Sequence, residues 1–182
     1  SVITTSSAGV QTIASAGTIS VGTDPSSPSY TIAAGGTTGV VAGVAKFRPS
    51  NEAVNLTKVG LTLTNMTTTG AQDVLTAYLY QGSTLVGTAT FTGNATTATS
   101  TLTQVVNLPK DVDTLLTIKV DLADISASAP GVEGDLVKVD VADFEGSGAS
   151  SGQTVRGGAT GGLTAVAGLR LLNTFPTIAQ VP

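Results

Sequence analysis

The 182-residue sequence contains no cysteine, no histidine and no tryptophan, and it is poor in charge. Without histidine and cysteine, the chain cannot form a Ser-His-Asp or Cys-His catalytic arrangement, a typical zinc site, a haem site ligated by either residue, or an iron–sulfur cluster. Charged residues make up 11% of the sequence, against about a quarter in an average protein. We therefore expect a protein that is not an enzyme.

The basic residues are few and scattered. Eight Lys and Arg residues against twelve Asp and Glu residues give a net charge of −4 and leave no basic stripe, so nucleic acid is not an expected partner. No run of about 20 apolar residues occurs, so no membrane span is expected. The sequence starts at Ser1, as a mature protein does after removal of a secretory signal. We expect a secreted protein that is extracellular or lies at the cell surface.

Small hydroxyl residues are abundant, since Thr and Ser together account for 47 of the 182 residues. Several segments alternate between apolar and polar residues, as at Val59, Leu61 and Leu63, and this period of two is typical of half-buried strands. Gly, Pro, Ser and Asn interrupt these segments at intervals of about ten residues, which indicates an all-β sandwich or barrel. We predict a β-sandwich of jelly-roll type with about ten strands and an extended N-terminal strand arm.

The pattern predicts strands at 10–14, 17–22, 29–33, 39–48, 54–64, 74–81, 84–92, 98–107, 113–122, 135–143 and 163–172. The turn residues of 81–83 and of 92–94 each predict a tight hairpin. The Gly- and Ser-rich segment 146–162 predicts an irregular loop.

The predicted organisation is an N-terminal β-prone arm at 1–23, a β-sandwich at 24–174 and an extended C-terminal strap at 175–182. The arm carries no charged residue and is followed by a Pro-containing hinge at 24–28. Its apolar residues are the candidate assembly residues: Val2, Ile3, Val10, Ile13, Ile19 and Val21. An uncharged strand invites pairing with another chain, so the arm either folds back onto its own sandwich or acts as a donor strand for a neighbour.

Eight of the twelve acidic residues fall between positions 111 and 143. Ca²⁺ prefers six to eight hard oxygen ligands, which the loops of a β-sandwich can supply, so Ca²⁺ is the candidate cofactor. The alternative is that these residues are solvated at turns and strand ends, because no Asp-x-Asp-x-Asp-Gly loop is present. The candidate ligands are Asp111, Asp113, Asp121, Asp124, Glu133, Asp135, Asp140 and Asp143.

Two further patterns concern glycans. Tyr78 and Tyr80 share one face of a predicted strand, where they form either a small carbohydrate-binding platform or a cross-strand packing patch. Three tripeptides match the N-glycosylation pattern, at Asn55, Asn65 and Asn94. In a Thr-rich chain such matches also arise by chance, and Asn55 lies inside a predicted strand.

The segments 44–63 and 166–176 resemble segments of secreted, Thr-rich surface proteins of bacteria and archaea. Proteins of this style include subunits of extracellular filaments and tubules, such as archaeal cannulae and threads. The resemblance implies a β-sandwich or jelly-roll subunit joined to its neighbours by donor strands, with calcium in the cannulae, and it implies no catalytic residues.

These observations together predict a structural subunit of an extracellular filament, tubule or surface layer, whose partners are copies of itself. The alternative is an adhesion or carbohydrate-binding module of a larger surface protein, with cell-surface glycans as partners. An exposed aromatic groove would favour the alternative, whereas uncovered edge strands would favour self-assembly.

Overall fold

The computed structural model describes residues 16–64, 72–126 and 128–174. These ranges contain eleven strands and no α-helix, so the predicted all-β class is confirmed. The strands are β1 (Thr18–Thr23), β2 (Thr31–Ala34), β3 (Val40–Ser50), β4 (Val54–Thr64), β5 (Val74–Gln81), β6 (Thr84–Thr90), β7 (Thr97–Leu108), β8 (Thr114–Leu122), β9 (Leu136–Gly148), β10 (Thr154–Gly158) and β11 (Leu169–Leu172).

The alternating residues of the sequence do divide between core and surface. In β4, Val59, Leu61 and Leu63 are buried, while Thr62 and Thr64 are partly exposed. The same alternation runs along β8 and along the first half of β9. Because side chains of a strand point alternately to its two faces, each of these strands places one apolar row in the core.

The strands form two sheets packed as a β-sandwich. The first sheet has the order β1-β3-β8-β5-β6, and the second has the order β2-β11-β9-β4-β7. In the second sheet, β10 pairs with the C-terminal part of β9. Between the sheets, the rings of Phe47 and Phe144 meet edge to face, with their centroids 6.4 Å apart and their planes at 84°. This is a favourable geometry for two aromatic rings in a core.

The strands pair in a nested order, in which two consecutive strands form the innermost pair and each further pair encloses the one before it. β5 pairs with β6, β4 with β7 and β3 with β8, all antiparallel, and successive pairs lie in alternate sheets. β2 and β9 are the outermost pair, with β11 inserted between them, parallel to β2 and antiparallel to β9. This nesting is the jelly-roll arrangement, which agrees with the predicted fold.

Three local expectations need correction. The segment 146–162 is not an irregular loop, because β9 extends to Gly148 and turns back into β10. The turn at 92–94 is not a hairpin, because β6 and β7, which flank it, belong to different sheets. The last strand, β11, begins at Leu169 and not at 163, because residues 163–168 instead pass along the edge of β9 between β10 and β11, where Leu163 and Thr164 bond to the backbone of Val141. The predicted strand 10–14 lies outside the described residues.

We expect the replacement Leu61→Ala to reduce the free energy of unfolding by about 2–5 kcal/mol, because it removes a fully buried side chain and leaves a cavity. The neighbouring replacement Thr62→Ala, on the outer face of the same strand, is the matched control and should change stability much less. Urea unfolding of both variants measures the difference. Equal losses would contradict the assignment of the inner and outer faces of β4.

Candidate functional site

One end of the sandwich is organised around the buried carboxylate of Glu52, in the turn between β3 and β4. Its Oε1 accepts hydrogen bonds from the backbone N–H of Gly17, at 3.0 Å, and from the hydroxyl of Ser151. Its Oε2 accepts from the backbone N–H groups of Ser150 and Ser151, both at 2.9 Å. Glu52 therefore ties together the first described residues, the β3–β4 turn and the β9–β10 turn.

These hydrogen bonds hold the chain in place at the first residues that the structure describes, directly after residues 1–15. Ala16 is exposed, and its carbonyl oxygen accepts a hydrogen bond of 3.2 Å from the side-chain amide of Asn51. The next residue, Gly17, is buried, with the side chains of Val54 and Val155 against it. The described chain thus begins at the surface and enters the sandwich within two residues.

The hydroxyl and backbone N–H of Ser151, together with the N–H of Ser150, lower the pKa of Glu52 to about 2. A lowered pKa means that the ionised form is favoured in the folded chain, so stability is fully present above the unfolded value of 4.5 and is lost as the pH falls towards 2. We infer that this end of the sandwich is firmly held at neutral pH.

The eight predicted calcium ligands are distributed over the fold. Asp113 accepts a hydrogen bond of 3.1 Å from Arg48 and has Lys46 at 3.7 Å. Asp121 accepts from the hydroxyl of Tyr78, at 2.8 Å, and from the backbone N–H of Gly39, also at 2.8 Å. These carboxylates are occupied by protein donors on the outer face of the first sheet.

Asp140 lies on the outer side of β9, where the alternation predicts exposure, yet it is buried because residues 162–168 cross over it. Its Oδ1 accepts from the hydroxyl of Thr164, at 2.7 Å, and from the backbone N–H of Val166, at 3.0 Å. Its Oδ2 accepts from the hydroxyl of Thr64 at 3.2 Å. Asp140 thus fastens this crossing segment to the second sheet.

The remaining candidate ligands are exposed, except for Asp135. Asp111 has a positive φ of 58° in the turn before β8, and Asp124 follows the end of β8. Glu133 accepts a long contact of 3.4 Å from a backbone N–H, and Asp143 lies on β9. In the described ranges, no group of three or more His, Cys, Asp or Glu residues is placed to hold a metal ion. Calcium therefore stays a prediction.

The structure does bring Asp135 to another carboxyl group, that of Asp73, which precedes β5. Both side chains are buried, and they are hydrogen-bonded to each other. A hydrogen bond between two carboxyl groups requires that one of them be protonated. Asp73 also accepts from the backbone N–H of Val132 through Oδ1, and from the N–H of Ala123 through its carbonyl oxygen, both at 2.8 Å.

Burial is the main cause that raises the pKa of Asp73, to about 6, and the charge of Asp135 adds to it. The pair links the end of β8, the start of β5 and the loop before β9. The sequence offered one signal for it: Asp135 is two residues before the buried Val137, so the alternation of β9 turns its carboxyl group inward. Neither Asp73 nor Glu52 stands in any pattern that would have singled it out.

The aromatic pair lies on the outer face of the first sheet and is engaged with its neighbours. The hydroxyl of Tyr78 donates to Asp121, which raises the pKa of Tyr78. The ammonium group of Lys119 lies 4.7 Å from the centre of the Tyr80 ring, a cation–π distance. Both contacts are cross-strand packing between β5 and β8.

The three glycosylation matches differ in their surroundings. Asn94 is exposed in the turn between β6 and β7 and accepts a hydrogen bond from Gln72. Asn55 is partly buried in β4, and its side-chain oxygen accepts a hydrogen bond of 3.0 Å from Asn107 on β7. Asn65 lies outside the described residues.

The candidate assembly residues fall into two groups. Ile19 and Val21 belong to β1, which pairs antiparallel with β3 of the same chain, and both pack against its core. Val2, Ile3, Val10 and Ile13 lie outside the described residues. The described part of the predicted arm thus forms an edge strand of its own sandwich, and residues 1–15 are the part to which a donor-strand hypothesis still applies.

No protein-family model, curated protein or solved structure gives a significant match to this chain. The resemblance of segments 44–63 and 166–176 to surface-protein segments therefore stays an expectation. Within the ranges that the structure describes, no helix is long and apolar enough to cross a membrane.

We expect stability to fall as the pH rises from the unfolded value of 3.8 to about 6, because in this window the folded chain must release the proton held by Asp73. The replacement Asp73→Asn should flatten this part of the profile. Urea unfolding midpoints between about pH 4 and pH 7 measure it for both proteins. Asp124→Asn, at an exposed site in the adjoining loop, is the matched control and should keep the wild-type slope. A slope that survives Asp73→Asn would contradict the assignment.

The replacement Glu52→Gln should lower the thermal unfolding midpoint at pH 7, because the amide NH2 replaces one carboxylate oxygen and then faces either the N–H of Gly17 or the N–H groups of Ser150 and Ser151. It should also remove the loss of stability between pH 4.5 and about 2. Thermal unfolding at several pH values measures both effects. Glu133→Gln, on an exposed loop, should change neither. Unchanged hydrogen exchange at Gly17 in the Glu52→Gln protein would count against the role of Glu52 as the tether.

Proposed function

We propose that this chain is a structural subunit of an extracellular filament, tubule or surface layer, and that it self-assembles through exchange of a terminal strand. The observation that carries the proposal is the position and composition of residues 1–15. They hold no charged residue, and the residue that follows them, Ala16, is exposed beside Gly17, which Glu52 holds in place. The segment is therefore delivered at a fixed place to whatever lies next to that end of the sandwich.

Strand addition suits such a segment. A donor strand gains affinity from main-chain hydrogen bonds to an exposed sheet edge, and gains specificity from alternate side chains that enter pockets. Natural sheets commonly protect their edges with charged residues, and residues 1–23 contain none. Val10 is an apolar residue among small polar ones, which supports a role as a pocket-filling side chain.

The surface composition agrees with packing against copies of the same chain. The outer faces carry many Thr and Ser side chains, and the described residues include seven large apolar side chains that are exposed. Small hydroxyl groups cost little to order at an interface, because they have few rotamers to lose. A weakly charged surface also opposes self-association less than a strongly charged one.

Deleting residues 1–15 should leave a folded monomer that no longer polymerises. The deletion must stop at residue 15, because β1 begins at Thr18 and the loss of Gly17 would break a hydrogen bond to Glu52. Electron microscopy and light scattering measure polymers, and the unfolding midpoint measures whether the shortened chain is folded. The peptide 1–15 added in trans to the wild-type chain should block growth.

The matched control for this deletion is a chain that lacks residues 175–182, the other uncharged terminal segment. Polymers that persist without residues 1–15 and vanish without residues 175–182 would move the joint to the C-terminal strap. Polymers that persist without both segments would contradict strand exchange, and a wild-type chain that forms no polymer would contradict the proposed function itself.

The second candidate is an adhesion or carbohydrate-binding module, which the outward position of Tyr78 and Tyr80 supports. Against it, Asp121 and Lys119 already occupy the polar edge of one ring and the face of the other. Glycan binding that is lost in Tyr80→Ala, with polymerisation unchanged, would favour the second candidate.

A further inference from the structure

The side of the sandwich that carries β1 and β2 is only half covered. β1 pairs with Ala45–Ser50 of β3, and the chain after β1 continues to contact Val44 through Asp24 and Ser27. Ala42 and Gly43 are buried, with the side chain of Val166 against Gly43. Among the described residues, none pairs as a strand with Val40 and Val41 on that side of β3, so the beginning of β3 is the part of this edge that is open.

The second sheet also has an uncovered edge strand at this end of the sandwich. β2 is its edge strand, since it pairs with β11 on one side and with no described strand on the other. An apolar groove of about 270 Å³ lies between β2 and the start of β3, lined by Ile32, Ala33, Ala34, Thr37 and Val40. Ile32 is 38% exposed, although it is a large apolar side chain in an edge strand.

Two uncovered strand edges that face one apolar groove are a receptor for an added strand. The edges offer unpaired backbone N–H and C=O groups, and the small side chains of Ala33 and Ala34 leave room for the side chains of the added strand. Segment 8–14 places Ala8, Val10, Thr12 and Ala14 on one face if it is extended, and all four are small enough for such a groove.

The groove and Ala16, the residue that follows segment 1–15, lie at opposite ends of the sandwich. Ala16 is beside Asn51, after the end of β3, whereas the groove contains Val40, at the beginning of β3. The eleven residues of β3 separate the two points by about 36 Å, at about 3.3 Å per residue. Fifteen extended residues reach about 50 Å, so on its own subunit the segment would keep only about four residues to fill the groove. On a neighbour stacked end to end, all fifteen residues of the segment can be used to fill the groove.

We propose that the groove between β2 and the start of β3 binds residues 1–15 of a second copy of this chain. This proposal rests on the proposed function and adds the acceptor surface and the direction of assembly. Because donor and acceptor lie at opposite ends, each subunit gives its segment to one neighbour and receives one from the other. Head-to-tail contacts build an open filament when the rotation from one subunit to the next does not close a ring, and subunits stacked end to end meet this condition.

The first test places a charge in the groove. Ile32→Lys should abolish polymers, because a buried lysine without a partner opposes docking of an apolar segment. Leu85→Lys, on β6 at the opposite side of the sandwich, is the matched control, since Leu85 is 40% exposed against 38% for Ile32. Both variants should fold, as measured by thermal unfolding. If Ile32→Lys polymerises as Leu85→Lys does, while deletion of residues 1–15 still blocks growth, the groove proposal is wrong and the proposed function stands.

The second test uses the absence of cysteine from the chain, which lets one engineered pair report one contact. An acceptor that lacks residues 1–15 and carries Ile32→Cys is mixed with a full-length donor that carries Val10→Cys or Ile13→Cys. Under mild oxidation, at least one donor should form a disulfide with this acceptor and little with an acceptor that carries Val105→Cys, an exposed site on β7. Equal cross-linking to both acceptors would overturn the proposal, and so would a groove filled by residues 175–182 of the same chain.

Discussion

In a sandwich of two open sheets, the edge strands must be covered or paired, and in this chain that constraint governs the rest of the structure. Every edge strand carries N–H and C=O groups that need a partner or water, and exposed edges invite other chains. On one side, β6 and β7 lie close enough for the hydroxyl of Thr103 to donate to the carbonyl oxygen of Val86. On the other side, β1 covers β3 only in part, and β2 has only four residues. The two sides of the sandwich therefore differ in how far their edge strands are covered, and the proposed acceptor groove lies on the less covered side.

Much of the fold follows from the sequence, because period-two alternation is strong wherever one face of a strand is buried. The strands through Val59 and Val137 are of this kind, and their inner faces agree with the pattern. β10 was not predictable in the same way. It has one buried apolar residue, Val155, among Gly and polar residues, and it is held by pairing with β9 and not by its own pattern. The nested order of the strands likewise depends on pairings between distant segments.

The polar residues whose hydrogen bonds hold the ends of the sandwich could not be identified from the sequence, for a related reason. Glu52 acquires its role from Ser151, which is 99 residues away in the sequence. Asp140 is buried only because a later segment crosses over it, and Thr164 and Val166 in that segment supply the hydrogen bonds. An isolated acidic residue in a turn or on the outer face of a strand has no sequence signature of such contacts. The cluster of acidic residues between 111 and 143 looked like one site, but β8 and β9 carry its members to different faces of the sandwich.

The two ends of the molecule carry buried carboxyl groups with opposite dependence on pH. Glu52 stabilises its end as the pH rises from about 2 to 4.5, whereas the Asp73 pair weakens the other end as the pH rises from 3.8 to about 6. Gly17, close to residues 1–15 in the chain, is thus held in place at neutral pH. The acceptor end adjoins the acid pair, because Ala123 donates to the carbonyl of Asp73 and accepts from Gly36, next to the groove. A mildly acidic medium therefore favours the contacts at both ends, and each subunit should be most stable there.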